Sequence, residues 1–239
     1  MRHGDCAIRM AVAFGLALLV TEAAHAAPAP PEPPWGTVKG QITWQGKVPK
    51  SGREEYVINP ANKGLKNVMV WLVDPKGALP INPALKVGKG VMVTIQAGPP
   101  RRFEPHVLAV YAKQAIVVRN PTALADGVNV VGGVDMGDNF VLAPRMEKSL
   151  SLTPFSRPYG VTSNLFPTMR SWVGVFDHPY FAVTDAEGKF EIKGAPAGKF
   201  NIIMWHEGIG WVNSDKKGKP ITIRPGGTVE VNKKVKADE

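Results

Sequence analysis

From Phe181 to Glu207 the chain reads FAVTDAEGKFEIKGAPAGKFNIIMWHE, and this stretch more than any other limits what the protein can fold into. Asp185-Ala-Glu-Gly188 and Ala195-Pro-Ala-Gly198 are turn sequences in which glycine supplies positive φ. Between them Phe190 and Ile192 alternate with charged residues, the period-two pattern of an antiparallel meander with one solvated face. In its last strand Phe200, Ile202, Met204 and His206 share one side, while Asn201, Ile203, Trp205 and Glu207 share the other. The rest of the chain is punctuated in the same way: short segments rich in Val, Ile, Phe and Trp lie between Gly, Pro and Asn-Pro, and no stretch keeps a 3.6-residue apolar period for three turns. About fourteen strand candidates follow Trp35, too many for one sheet, so the expected fold class is all-β with two β-sandwiches.

The N-terminus obeys a different rule. MRHGDCAIRM, AVAFGLALLV and TEAAHA form a basic start, a short apolar run and an Ala-x-Ala end, a signal peptide over residues 1–26 cut after Ala26. The apolar run falls short of the roughly twenty residues that span a bilayer. The expectation is a periplasmic or secreted protein with no transmembrane segment after cleavage. Cys6 is the one cysteine and leaves with the signal peptide, so the remaining chain has neither disulfide nor thiolate. Residues 27–34, APAPPEPP, read as a Pro-rich tether. The formal charge of +9 comes from basic residues that occur singly or in pairs such as Arg101-Arg102, Lys216-Lys217 and Lys233-Lys234. That spread reads first as solvated faces and second as a docking surface for an acidic partner. Export argues against nucleic acid.

The meander resembles the carboxypeptidase regulatory-like domain, a transthyretin-like sandwich. The residues that carry the resemblance are Thr184-Asp185-x-x-Gly188-x-Phe190-x-Ile192 and then Pro196-Ala-Gly198-Lys-Phe200. The opening strands of that domain look like Gly36-Thr-Val38-Lys-Gly40-Gln-Ile42 and Val68-Met-Val70-Trp-Leu72, far upstream. The resemblance therefore implies one sandwich in two parts, residues 35–79 and 179–239, with residues 80–178 inserted. Further pieces are Leu79-Pro-Ile-Asn-Pro83, Phe103-Glu-Pro105-His106-Val107, Val117-Val-Arg-Asn120, the segment WVGVFDHPYF from Trp172 to Phe181, and Trp205-His206-Glu207. With these, nearly the whole chain is similar to exported bacterial proteins, frequent in planctomycetes and sometimes labelled methylamine utilisation-like, that join a cupredoxin-like (plastocyanin-like, Greek-key) domain to the regulatory-like fold.

In that family the loop before the Trp-Val-Gly-Val-Phe-Asp-His-Pro motif reads like Cys-x-x-His-Pro-x-Met, and a second His lies upstream. The resemblance places the Cys at Ser163, the loop His at Phe166, the upstream His near Asp126 and the Met at Met169. A type 1 copper site needs a thiolate, two neutral imidazoles and a long axial thioether. Of these only Met169 is present, so the expected insert is a degenerate cupredoxin-like domain whose Phe166 fills the space of an imidazole. A weakly held copper on His106 and Met169, with Asp126 as a third ligand, is the alternative.

For His106, His178 and His206 the plain expectation is an imidazole bonded to backbone near a strand end. Asp177 and His178 are expected to order the junction between insert and host, and His206 to sit at the core edge with Glu207 pointing away from it. No Gly-x-Ser-x-Gly, His-Glu-x-x-His or phosphate loop is written in the chain, so no catalytic role is expected. Three functions of different classes stay open. They are a copper-free module that binds an envelope protein or glycan, a copper or electron-transfer protein, and carbohydrate binding by stacking on Trp35, Trp44, Trp205 or Trp211.

Overall fold

The computed structural model describes residues 34–47, 56–133, 137–212 and 216–236. The signal peptide expected over 1–26, and all of the tether except Pro34, lie outside the described residues.

The described chain is all-β. In order its strands are β1 (Trp35–Trp44), β2 (Met69–Val73), β3 (Gly90–Gln96), β4 (Arg102–Glu104), β5 (Val107–Tyr111), β6 (Ala115–Arg119), β7 (Asp126–Val131), β8 (Asn139–Leu142) and β9 (Glu147–Leu150). They continue with β10 (Tyr159–Ser163), β11 (Arg170–Phe176), β12 (Phe181–Val183), β13 (Lys189–Pro196), β14 (Gly198–His206), β15 (Gly210–Trp211), β16 (Lys219–Ile223), β17 (Thr228–Glu230) and β18 (Lys233–Val235). The pattern of alternation missed β4, β7 and β15, and it fused β17 with β18. Strand β7, DGVNVV, opens with Asp and Gly and is buried at four of its first five positions, so it carries no alternation to detect.

Four sheets make two sandwiches. One sandwich has the sheet β13-β1-β17, with β18 also on β1, facing the sheet β12-β2-β14-β15, with β16 on β14. Val38, Ile42, Val70, Leu72, Phe190, Ile192, Phe200, Ile202 and Met204 share its core. Strand β2 pairs in register with β14, Leu72 opposite Ile202 and Val70 opposite Met204, although more than a hundred residues separate them. The turn at Gly188 is locked on this core: its φ is 73°, the Ile42 amide donates to its carbonyl at 2.8 Å, and a Cβ there would lie 2.2 Å from the Ile42 oxygen.

The second sandwich joins the sheet β4-β3-β6-β9 to the sheet β5-β11-β10-β7-β8, around Val93, Ile95, Phe103, Val118, Val128, Val161, Met169 and Val173. Each sheet contains one parallel pair, β3 with β6 and β5 with β11, which requires crossovers between the sheets. Residues just after position 80 still belong to the first sandwich. The Asn82 backbone amide donates to the Tyr180 hydroxyl oxygen at 2.8 Å and its side chain donates to the Gly194 carbonyl at 3.2 Å, and Leu85 packs on the first core.

A third cluster decides how the site below is assembled. Met69, Trp71, Ile203 and Trp205, from the outer face of β2 and β14, bury against Val107 and Phe176 of the second sandwich, with Trp172 and Trp211 at the margin. The meander therefore has a solvated face only at β13, where Lys189, Glu191 and Lys193 are exposed. The outer side of β14 is dry because the second sandwich covers it. At roughly 1.5–3 kcal/mol per buried large apolar side chain, this seam is strong enough to hold the two sandwiches as one body.

Candidate functional site

The four positions that the family resemblance assigns to copper meet at one end of the second sandwich. Asp126 begins β7, Ser163 ends β10 and pairs with Val128, and the turn that follows closes by hydrogen bonds from the Met169 amide to Phe166 and from the Ser163 amide to Met169. The Ser163 hydroxyl accepts the amides of Leu165 and Phe166 at 3.1 and 3.0 Å and donates to Asp126 Oδ1 at 2.5 Å. Asp126 is fully buried, and its other oxygen faces Arg101 Nη2 at 3.2 Å. The Arg101 side chain is only 10% exposed, and its guanidinium carbon lies 4.9 Å over the Phe166 ring.

Arg101 is the residue that the sequence did not single out. Read with Arg102 as a solvated pair, it is instead the buried member: Arg102 is more than half exposed and meets Glu104 at 3.5 Å, while Arg101 turns in. Only the three-dimensional fold brings it to Asp126. Phe166 packs against the second core, and its ring also carries the guanidinium.

This donor set does not fit a type 1 copper ion. The Ser163 proton is committed to Asp126, the carboxylate already balances a cation, Phe166 has no lone pair, and the Met169 thioether is enclosed by apolar side chains. His106 does not complete the set, because it is engaged at the seam: Nε2 meets Glu207 Oε1, and the ring has a further hydrogen bond to the Arg170 backbone. Among the described residues no group of three or more His, Cys, Asp or Glu is arranged to hold a metal ion.

No protein-family model matches the chain, and no curated protein matches it. Solved cupredoxins do. A purple cupredoxin from Nitrosopumilus maritimus is 11% identical over 35% of this chain and 97% of its own, with a TM-score of 0.30. Amicyanin variants, a Cu(I) form among them, are 18 to 20% identical over 44% of this chain and 97% of theirs, with a TM-score of 0.32. Among the described residues no helix is long and apolar enough to cross a membrane.

The seam holds a second polar cluster. Glu207, the residue after β14, points into the other sandwich. Its side chain is almost fully buried; Oε1 is bonded to His106 Nε2, and Oε2 accepts the Trp172 indole N–H at 2.6 Å. Burial pulls the His106 pKa down, but the hydrogen bond and charge of Glu207 outweigh it and the net shift is upward. For Glu207 burial pushes upward, and the His106 and Trp172 contacts overcome it to leave the carboxyl below its ordinary value. Each group thus favours the charged form of the other across the seam.

The remaining residues divide as follows. His178 is buried between Phe176 and Tyr180, accepts the Tyr180 amide on Nδ1 at 3.1 Å and has a hydrogen bond to the Leu72 backbone; burial lowers its pKa. Asp177 does not bond across the junction, since its side chain is 69% exposed and lies 3.9 Å from the imidazole. His206 is fully buried, beside the Tyr56 ring, and accepts the Gly208 amide on Nδ1. Of the four tryptophans considered for stacking, Trp44 is in the first core and Trp205 is in the seam, edge to face with Trp172 at 5.0 Å. Neither presents a face to a sugar. Trp35 and Trp211 are half-buried, and Trp211 leans on Trp71.

Proposed function

We propose that the chain is an exported, non-catalytic binding module, in which a cupredoxin-like sandwich without type 1 copper ligands presents its loop end to an envelope protein. The observation that carries this reading is a pair of apolar side chains on loops that are fixed from beneath. Leu124 and Leu165 are each 61% exposed. Under Leu124 the buried Asn120 amide donates to the carbonyls of Leu124, Leu142 and Ala143, and Thr122 caps the same turn. Under Leu165 the Ser163 hydroxyl ties the loop to Asp126, two residues from Leu124. Met146, whose carbonyl accepts the Asn120 amide, adds a third exposed apolar group. Exposed apolar groups on a rigid frame are a feature of protein docking surfaces, whereas a metal centre needs donor atoms with free lone pairs.

Two results are expected. Titration of residues 27–239 with copper, followed by desalting, leaves no bound metal and no visible band; retention of one copper per chain would return the electron-transfer reading to the front. Changing Leu124 and Leu165 together to Asp alters stability by no more than about 0.5 kcal/mol, as for other surface substitutions, yet abolishes capture of the envelope protein that the unchanged chain retains. Equal capture by both chains, or none by either, ends the docking proposal.

A further inference from the structure

A cleft of about 530 Å³ opens at one edge of the first sandwich, between β18 on one side and β15 on the other. Lys233, Lys234 and Lys236 line one wall and Trp211 the other, over Val212 and Val235 of the first core. That volume falls within the range of small-ligand sites.

The lysines are available. Lys234 and Lys236 are exposed and Lys233 is half-buried; none of the three makes a hydrogen bond or ion pair among the described residues, and no acidic side chain is among those that line the cleft. They also lie in a row. Strand β18 runs parallel to β1, with Lys233 beside Ile42 and Lys234 beside Thr43, and the Gln45 amide fixes its end by donating to the Val235 carbonyl at 2.7 Å. Along such an extended segment Lys234 and Lys236 are roughly 7 Å apart. Donors that converge on one point suit a single small anion, whereas cations spaced along an edge suit a ligand whose negative charges repeat along its length.

The facing wall adds a second chemistry. Trp211 is half-buried and held in place, its backbone paired with Trp205 and its ring 5.9 Å from that of Trp71, while its indole N–H makes no hydrogen bond among the described residues. An indole so placed offers an apolar surface and one donor together. Sugar acids combine the matching parts, an apolar C–H face and hydroxyls with a carboxylate on each ring. A membrane surface fits less well, because the indole lies in the wall of a recess and does not project from it.

We propose that this cleft binds an acidic oligosaccharide, one ring lying against Trp211 and successive carboxylates meeting Lys233, Lys234 and Lys236. The site is on the other sandwich from the loop end and does not depend on docking there.

The test is calorimetric titration of residues 27–239, at one fixed low ionic strength, with tetragalacturonate, neutral cellotetraose, tetraglutamate and phosphatidylglycerol vesicles. Saturable binding of tetragalacturonate is expected, with the other three at least tenfold weaker. Exposed ion pairs contribute up to about 1 kcal/mol each, so changing Lys234 and Lys236 together to Ala should weaken binding about tenfold, the equivalent of about 1.4 kcal/mol. Trp211→Leu keeps an apolar wall without the ring and should weaken it by a similar factor; should that variant fail to fold, the lysine pair decides. Lys193→Ala, outside the cleft, leaves binding unchanged. No saturable heat with tetragalacturonate, or binding that the lysine substitutions do not move, overturns the proposal. Equal binding of cellotetraose removes the role of charge, and equal binding of tetraglutamate or of the vesicles removes that of the sugar; either result also overturns it.

Discussion

Arg101→Met is expected to destabilise the protein by roughly 3 kcal/mol or more, because it leaves the carboxylate of Asp126 buried without a counter-charge. Asp126 has no exposure of its own, its neighbours are core side chains, and Ser163 alone cannot balance a negative charge. Methionine was chosen to keep most of the volume over Phe166, so that the loss reports charge rather than a cavity. Urea unfolding at pH 7 measures it. Adding Asp126→Leu to Arg101→Met should recover most of the stability, since an apolar pair of similar volume avoids the desolvation that an ion pair incurs. A loss of less than about 1 kcal/mol for Arg101→Met would place this pair with ordinary surface ion pairs and remove the view that a guanidinium holds the loop end together.

Glu207→Ala removes the acceptor of the Trp172 indole and the counter-charge of His106 in one step. Hydrogen bonds to charged groups contribute about 1.5–3 kcal/mol each, and a buried donor left unmade adds its own cost, so a loss of roughly 3 kcal/mol is expected. The pH profile separates this pair from simple packing. His106 has its pKa raised above the ordinary 6.5, so its contribution is complete below 6.5 and lost as pH rises through the raised value. Glu207 is lowered below the ordinary 4.5, so its contribution is complete above 4.5 and lost as pH falls through the lowered value. The stability gap between the unchanged chain and Glu207→Ala should therefore be widest between pH 4.5 and 6.5 and narrow on either side. Glu104 and His206 also act on the pair electrostatically, and substituting either should shift the edges of that window without closing it. A gap that does not vary with pH would mean that the seam is held by its aromatic packing alone.

The site was legible in unequal parts. Ser163, Phe166 and Met169 are a few residues apart on one loop, so a motif can bring them together, and Asp126 was placed beside them only by the family resemblance. Arg101 could not be found in this way, because its partner is 25 residues on and the dipeptide Arg101-Arg102 looks like solvated charge. The link from His106 to Glu207 spans 101 residues and crosses two sandwiches, and alternation in β14 showed only that Glu207 faces outward from the first core. What covers that outward face is a property of the other half of the molecule.

The same division runs through the fold. Side-chain alternation and turn glycines are local, because a strand's two faces are set by the backbone itself. The sequence alone therefore determined that the chain is all-β and which faces of β13 and β14 are apolar. Tertiary structure decided what each apolar face meets: the parallel pairs β3 with β6 and β5 with β11, the burial of Trp205 in a seam, and the turn of Arg101 inward to Asp126. Those outcomes depend on contacts between distant segments, where close packing and the cost of burying charge without a partner select one arrangement among many that the local pattern permits.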